Sequence, residues 1–357
     1  MSESREGSTG RLLQLCGGYF FFYVLTGVIV KYFLGSVDKG FPGMQELEFL
    51  VYNSSTATTT VLLFVVIAGW YRLKSNGSIE WKGLRFPAEY LYIIPSGVCT
   101  AVIIPTTTLM YTLPISVMVA MVIMRGAVIV ISRVVDAVQI RQGVLKKQVY
   151  WEENAAVVFA IAAVGVNLFG SSKPGTFDFI HSPAAMTILL SYIVAYTLRI
   201  YIMNYFKNTR APGVKQDNKG FLAIEQCSAF GTLLVASLLV FFAPSLFGWN
   251  PPQIQVFRGA ILEPRPMWGW AMVCGIPYAT VTFFSVFIFM FKGRTATFAG
   301  CVNRLTSLVA GTTATLIFHY AFGGKFPSRD DWLSLGFILV AIVFLTLAEQ
   351  RRAKELA

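Results

Sequence analysis

Charge is what this chain has least of. Only 13% of its 357 residues are Asp, Glu, Lys or Arg, about half the share of an ordinary soluble protein. That scarcity excludes a solvated globular domain. With 55% hydrophobic residues and a mean hydropathy of +0.62, it implies an integral membrane protein whose main partner is the lipid bilayer. Cysteine is scarce too. Cys16, Cys99, Cys227, Cys274 and Cys301 stand singly inside apolar stretches with no Cys-x-x-Cys pair, so they read as small buried hydrophobes rather than a disulfide or zinc framework. His181 and His319 have no metal-ligating partner at useful spacing. There is no Gly-rich phosphate loop ending in Lys-Ser/Thr, no Gly-x-Ser-x-Gly elbow and no carboxylate pair on one loop. Nothing here reads as an enzyme, and no cofactor or metal is called for. The net charge of +11 invites a nucleic-acid partner, but the basic residues lie mostly in short loops between apolar runs, which membrane topology explains better. The opening MSESREGSTGRLLQLCGG is too polar for a cleaved signal peptide and implies an uncleaved first helix.

What the chain does have is apolar runs of spanning length, near 12–35, 46–70, 90–110, 113–135, 153–171, 184–206, 221–245, 267–291, 296–319 and 332–349. The expectation is an all-α integral membrane protein of ten transmembrane helices with no separate soluble domain. The longest loops are Arg72–Pro87, Ala137–Tyr150, Lys207–Gly220 and Phe247–Pro266. Lys and Arg collect in alternate loops, as at Arg72, Lys74, Lys82 and Arg85, and at Lys207, Arg210, Lys215 and Lys219. The positive-inside rule then puts both termini in the cytosol, and the even helix count agrees. A bacterial inner membrane and a eukaryotic endomembrane fit equally well.

The two halves match. Arg125 and Arg304 fall half a chain apart, each in the fourth run of its half, and Trp151 and Trp332 open the fifth runs. Pro95 pairs with Pro277, and Glu48 with Glu225. Five helices per half makes the second half inverted relative to the first. The expected architecture is therefore a 5+5 inverted-topology repeat, residues 1–175 and 176–357, with a site near the midplane between them.

The stretch TATFAGCVNRLTSLVAGTTAT carries Asn303 and Arg304 inside an apolar run. A charge there costs roughly 2.5–3.5 kcal/mol on insertion scales, so it must face the bundle interior or a watery cavity. Gly300, Asn303, Ser307, Gly311 and Ala314 recur at helical steps on one face. Arg125 is equally deep, with Ser132 and Asp136 on its face. Arg199 shares a stripe with Tyr192, Tyr196 and Met203, and Lys31 lies near the outer end of the first run. Tyr278 follows Pro277, which can open a helix towards a cavity. The candidate substrate-binding set is thus Arg125, Asn303, Arg304, Arg199, Lys31, Tyr196, Tyr278, Gly300 and Ser307. Glu48, Asp136 and Glu225 are candidates for charge balancing or proton coupling.

This pattern resembles the drug/metabolite transporter superfamily over about residues 12–350. MRGAVIVISRVV (Met124–Val135) followed by VFAIAAVGVNLFG (Val158–Gly170) is similar to the fourth and fifth helices of the solute-carrier-35-like branch. GCVNR (Gly300–Arg304) is similar to the Gly-Ala-Leu-Asn-Lys motif of nucleotide-sugar transporters and to the ninth-helix basic motif of triose-phosphate translocators. The resemblance implies ten helices, cytosolic termini and contact of Gly300, Asn303 and Arg304 with a phosphate-bearing substrate. Two departures stand out: Arg304 replaces the Lys, and the seventh helix reads FLAIEQCSAFG where GDP-sugar carriers have Phe-Tyr-Asn-Asn.

The expected function is a secondary transporter of a small-molecule organic anion, phosphorylated in the manner of a nucleotide sugar or sugar phosphate. It would work by alternating access and exchange, with Arg125 and Arg304 holding the anion. The alternative is an exporter of amines, drugs or amino acids, proton-coupled through one of the acids. A third reading is a non-transporting scaffold or lipid-handling protein. Monomer and homodimer both remain open at this level.

Overall fold

A computed structural model describes residues 8–111, 117–146, 149–170, 182–324 and 326–356. The boundary between the two expected halves and His181 lie outside these residues. Long helices occupy the places of the apolar runs: α1 (Thr9–Phe33), α2 (Glu46–Ile67), α3 (Tyr90–Tyr111), α4 (Val117–Arg141), α5 (Trp151–Gly170), α6 (Pro183–Asn208), α7 (Asn218–Phe247), α11 (Ala296–Phe322) and α12 (Arg329–Leu356). The eighth run is divided by a break at Cys274 into α9 (Trp268–Val273) and α10 (Gly275–Phe289). Pro277, in the first turn of α10, has no N–H to close the turn on Val273, which accounts for the break. Pro95 and Pro105 sit inside α3 without ending it. Among the described residues, eight helices are long and apolar enough to cross a membrane: α1, α2, α3, α6, α7, α9 with α10, α11 and α12. The chain is an all-α integral membrane protein, judged on the length and composition of these helices.

Helix ends are set by ordinary capping chemistry. Ser182, Asp217 and Thr295 accept from the backbone N–H three residues on, starting α6, α7 and α11, which satisfies donors left over at a helix N-terminus. Gly248 and Gly323 end α7 and α11 in the left-handed conformation. Gln45 and Glu48 form a capping box at the start of α2.

Three of the expected loops hold more structure than sequence spacing indicates. Arg72–Pro87 contains an antiparallel hairpin, β1 (Ser78–Trp81) and β2 (Leu84–Pro87), with Trp81 opposite Leu84. Its two-residue turn is Lys82-Gly83, both with positive φ, the combination a type I′ turn requires. Phe247–Pro266 contains α8 (Pro252–Leu262). The loop after α4 is shorter than expected because α4 runs on to Arg141.

The helices pack in definite pairs. α1 lies against α10 and α11, and α6 against α3 and α4. α2 packs on α10, and α7 on α3. The remaining principal contacts are α5 with α12 and α4, α4 with α11, α2 with α9 and α7, and α11 with α12. The start of α1 and the end of α12 lie together: the Thr9 hydroxyl donates to Glu349, 3.0 Å. There a buried charge network joins four helix ends. Arg294 and Arg352 pair with Glu349, and Arg352 also with Glu153, which accepts from the Thr295 hydroxyl at 2.7 Å.

The connector beside the hairpin is held by Glu89, which accepts from the Ser75 hydroxyl and the Asn76 N–H and pairs with Arg210 at 3.0 Å. Burial pushes the Glu89 carboxyl up, but the hydrogen bonds from Ser75 and Asn76, with Arg210 beside them, outweigh it and hold its pKa below 4.5. A depressed carboxylate contributes stability above its ordinary pKa, and that stability is lost as pH falls through the lowered value. Wild-type protein should therefore lose melting temperature below about pH 4.5 more steeply than Glu89→Gln, as read from thermal unfolding across pH 3–6. Parallel profiles would contradict this role.

Candidate functional site

A cavity of about 140 Å³ lies between the helices, lined from α1, α2, α3, α4, α6, α7, α10 and α11. Five of the expected substrate-binding residues line it: Arg125, Arg199, Arg304, Tyr196 and Tyr278. The three arginines come from three helices and are each more than nine-tenths buried, at 4%, 8% and 9% exposure. They differ in their partners, and that difference defines the site.

Arg199 is neutralised. Its Nε and Nη2 donate to the two oxygens of Glu225 at 2.9 and 3.0 Å, and the Ser96 hydroxyl donates to the same carboxylate at 2.7 Å. Glu225 is fully buried and is held by α3, α6 and α7 together. Arg199 is correspondingly less a free cation than its place on an aromatic stripe indicated.

Arg125 and Arg304 have no such partner. Among the described residues no carboxylate pairs with either. Arg125 donates through Nη2 to the Tyr23 hydroxyl at 2.5 Å, with its guanidinium carbon 5.1 Å from the Tyr23 ring centre. Arg304 stacks 5.0 Å from the Tyr196 ring and 5.9 Å from Phe289, and its Nε is buried without a hydrogen-bond partner. Two of the acids that sequence reasoning offered for charge balancing are engaged elsewhere. Glu225 holds Arg199, and Glu48 pairs with Arg265 at 2.9 Å while accepting from the Gln45 N–H. Asp136 caps the other end of the arrangement: its oxygens accept from the N–H groups of Ala296 and Thr297 at 2.8 and 2.5 Å, fixing the first turn of α11. That places Arg304 two turns along.

The other expected residues stand behind the lining or away from it. Asn303 is fully buried, accepting from the Tyr19 hydroxyl at 3.4 Å and donating to Ser285 at 3.1 Å. It ties α11 to α1 and α10, next to Arg304. The Ser307 hydroxyl donates to the Arg304 carbonyl, 2.8 Å. Gly300 is a close-packing position: a Cβ there would overlap the Ser132 side chain across the α4–α11 contact. Lys31 is at the far end of α1 from Thr9 and is not part of the lining. Gly300→Ala should force α4 and α11 apart at a cost of about 1–3 kcal/mol, measured by thermal unfolding, and Ser132→Gly should recover part of it. An unchanged melting temperature for Gly300→Ala would contradict the contact.

Sequence reasoning missed several lining residues: Tyr19 and Tyr23 of α1, Thr58 of α2, Thr100 and Thr107 of α3, and Thr282 of α10. The spacing of Tyr19 and Tyr23, one turn apart on one face, was a readable signal. On the side where α1 starts and α12 ends the cavity is backed by buried Met203, Phe206, Phe221 and Met290. Polar side chains lock this plug: Gln216 donates to the Met290 carbonyl at 2.7 Å, Asn218 to the same carbonyl at 3.3 Å, and Lys207 to that of Phe289 at 3.3 Å.

No family model matches the chain, and no curated protein does. Solved structures do match it. One, a crystal structure whose name specifies no function, is 14% identical with a TM-score of 0.58 and covers 96% of this chain and 99% of that one. At that identity the likeness concerns the fold alone.

Proposed function

We propose that the chain is a secondary transporter of a small organic anion, with Arg125 and Arg304 as its anion ligands. One observation carries this reading: two arginines, more than nine-tenths buried, line one cavity with no carboxylate among the described residues to neutralise them. An unpaired buried charge is costly. A site that keeps two is suited to a ligand that brings the missing negative charge. Guanidinium groups bind carboxylate and phosphate through paired N–H donors, so a phosphate ester is the preferred class. The cavity volume is close to that of an engineered pocket that holds benzene, which favours the sugar-phosphate size range over a nucleotide sugar. The amine-exporter reading needs a free acid in the cavity, and Glu225 is already bound to Arg199.

The carrier mechanism rests on a 5+5 inverted repeat of ten spans, which the packing supports. Exchanging α1 with α6, α2 with α7, α3 with α10, α4 with α11 and α5 with α12 maps the principal helix contacts onto themselves. Glycines repeat in the same sense. Gly97 of α3 approaches the Glu225 carbonyl of α7, and Gly275 of α10 approaches the Asn53 carbonyl of α2. So do two ion pairs: Glu48–Arg265 joins the start of α2 to the connector before α9, and Glu89–Arg210 joins the connectors before α3 and α7. In this reading the halves rock about the cavity, both termini are cytosolic, and the Gln216–Asn218–Met290 plug is the cytosolic gate.

With the site empty, two uncompensated arginines oppose closure, so the loaded carrier should cross more readily than the empty one. Exchange should therefore exceed net flux. In proteoliposomes, uptake of labelled glycerol phosphate should be faster with unlabelled compound inside; equal uptake into empty and loaded vesicles would contradict exchange.

A further inference from the structure

Four threonine hydroxyls line the cavity from α2, α3 and α10, and these four share one polarity. They belong to Thr58, Thr100, Thr107 and Thr282. Each hydroxyl donates its proton to a carbonyl of its own helix: Thr58 to Ser54 at 2.8 Å, Thr100 to Ser96 at 3.0 Å, Thr107 to Ile103 at 2.7 Å and Thr282 to Tyr278 at 3.3 Å. A threonine hydroxyl has one proton and two lone pairs. In an apolar helix bundle the back-bond to the preceding turn is the standing use for that proton. What remains for the cavity is lone pairs. These threonines accept hydrogen bonds and have no proton left to offer.

We infer that these four threonines select the substrate by its body, requiring hydrogen-bond donors on the end opposite the anion. This rests on the anion-carrier reading and deepens it. A ligand without donors would leave the acceptors unpaired when water is expelled, and unpaired buried polar groups are what make such sites discriminate. Donors come as hydroxyls or as ammonium groups. An ammonium would share the cavity with Arg125 and Arg304, neither of which has a carboxylate counterion among the described residues, and would meet their repulsion. Hydroxyls carry no such penalty. The substrate class is therefore an anion with a short hydroxylated body.

Two phosphate esters of equal charge and chain length separate the possibilities: glycerol 3-phosphate, with two free hydroxyls, and n-propyl phosphate, with none. Titration calorimetry on the purified full-length wild type should give at least about tenfold tighter binding of the glycerol ester, the scale of two neutral hydrogen bonds. Thr58→Val and Thr100→Val, near-isosteric without the acceptor, should lower that ratio towards one by weakening the glycerol ester alone. Thr100→Ser should keep it. Equal wild-type affinities, or a ratio that survives both valine substitutions, would overturn the selective role of the threonines and leave the anion reading intact. Absence of binding by both esters would overturn this inference, and undiminished binding of both by Arg304→Met would overturn the anion reading and this inference with it.

Discussion

Arg304→Met should weaken phosphate-ester binding by about two orders of magnitude or more while leaving the unliganded protein no less stable. Both halves of that expectation follow from one geometry. The guanidinium is more than nine-tenths buried, its Nε has no partner, and it packs on the Tyr196 and Phe289 rings with a hydrogen bond to the Tyr196 side chain. Truncating one side of a buried, hydrogen-bonded charge pair costs about 2–5 kcal/mol of binding, and each 1.4 kcal/mol is roughly tenfold. No carboxylate among the described residues depends on Arg304, so a methionine of similar length removes an uncompensated charge and keeps the packing. Arg125→Met should behave in the same way, with a smaller change in the empty state because the Tyr23 hydroxyl loses its donor. A purely structural arginine would show the opposite pattern, with lower apo stability and unchanged binding. Calorimetry and thermal unfolding on the same preparations distinguish the two.

Glu225→Gln should have the contrasting effect, a loss of about 3–5 kcal/mol in stability, the typical cost of breaking a buried pair and stranding one charge. The carboxylate is fully buried and takes three hydrogen bonds, two from Arg199 and one from Ser96. Removing its charge leaves Arg199 without its only ion-pair partner among the described residues. The double variant Arg199→Met/Glu225→Leu should recover much of the loss, because replacing a buried pair by apolar groups of similar size is often neutral or favourable. Denaturant or thermal unfolding in detergent reads this directly. A neutral Glu225→Gln would mean that Arg199 is satisfied by something other than the pair.

Much of this fold was legible because a bilayer simplifies the code. A spanning helix must satisfy its own backbone and show lipid an apolar surface, so apolar runs marked where each long helix falls. The hairpin at Ser78–Pro87 escaped because its signal is a single Lys82-Gly83 turn inside a charged loop. Helix α8 escaped because eleven residues between prolines and Glu263 read as a connector. Arg125 and Arg304 stood out for the same reason the helices did: a charge in an apolar run is expensive, and expense is visible in one dimension. The partners of those charges were not visible. That Glu225 belongs to Arg199, and Glu48 to Arg265, depends on which helices become neighbours. Gly300 and Asn303 were read as ligands from their face of α11, whereas that face divides between packing on Ser132 and bracing by Tyr19 and Ser285. The tyrosines of α1 offered a signal in their one-turn spacing, but it was diluted in a chain with fifteen Tyr and thirty Phe.

The most direct test of the anion-binding claim is ligand-induced thermal stabilisation of wild type and Arg304→Met, with glycerol phosphate, orthophosphate, a dicarboxylate and a primary amine as probes. A ligand present at a hundred times its dissociation constant stabilises by about 2.7 kcal/mol, readily seen in the melting temperature. The account predicts a shift for the wild type with at least one anion, none with the amine, and no anion-induced shift for Arg304→Met at an apo melting temperature equal to or above that of the wild type. Stabilisation by the amine alone, or anion-induced shifts of equal size in both proteins, would contradict it.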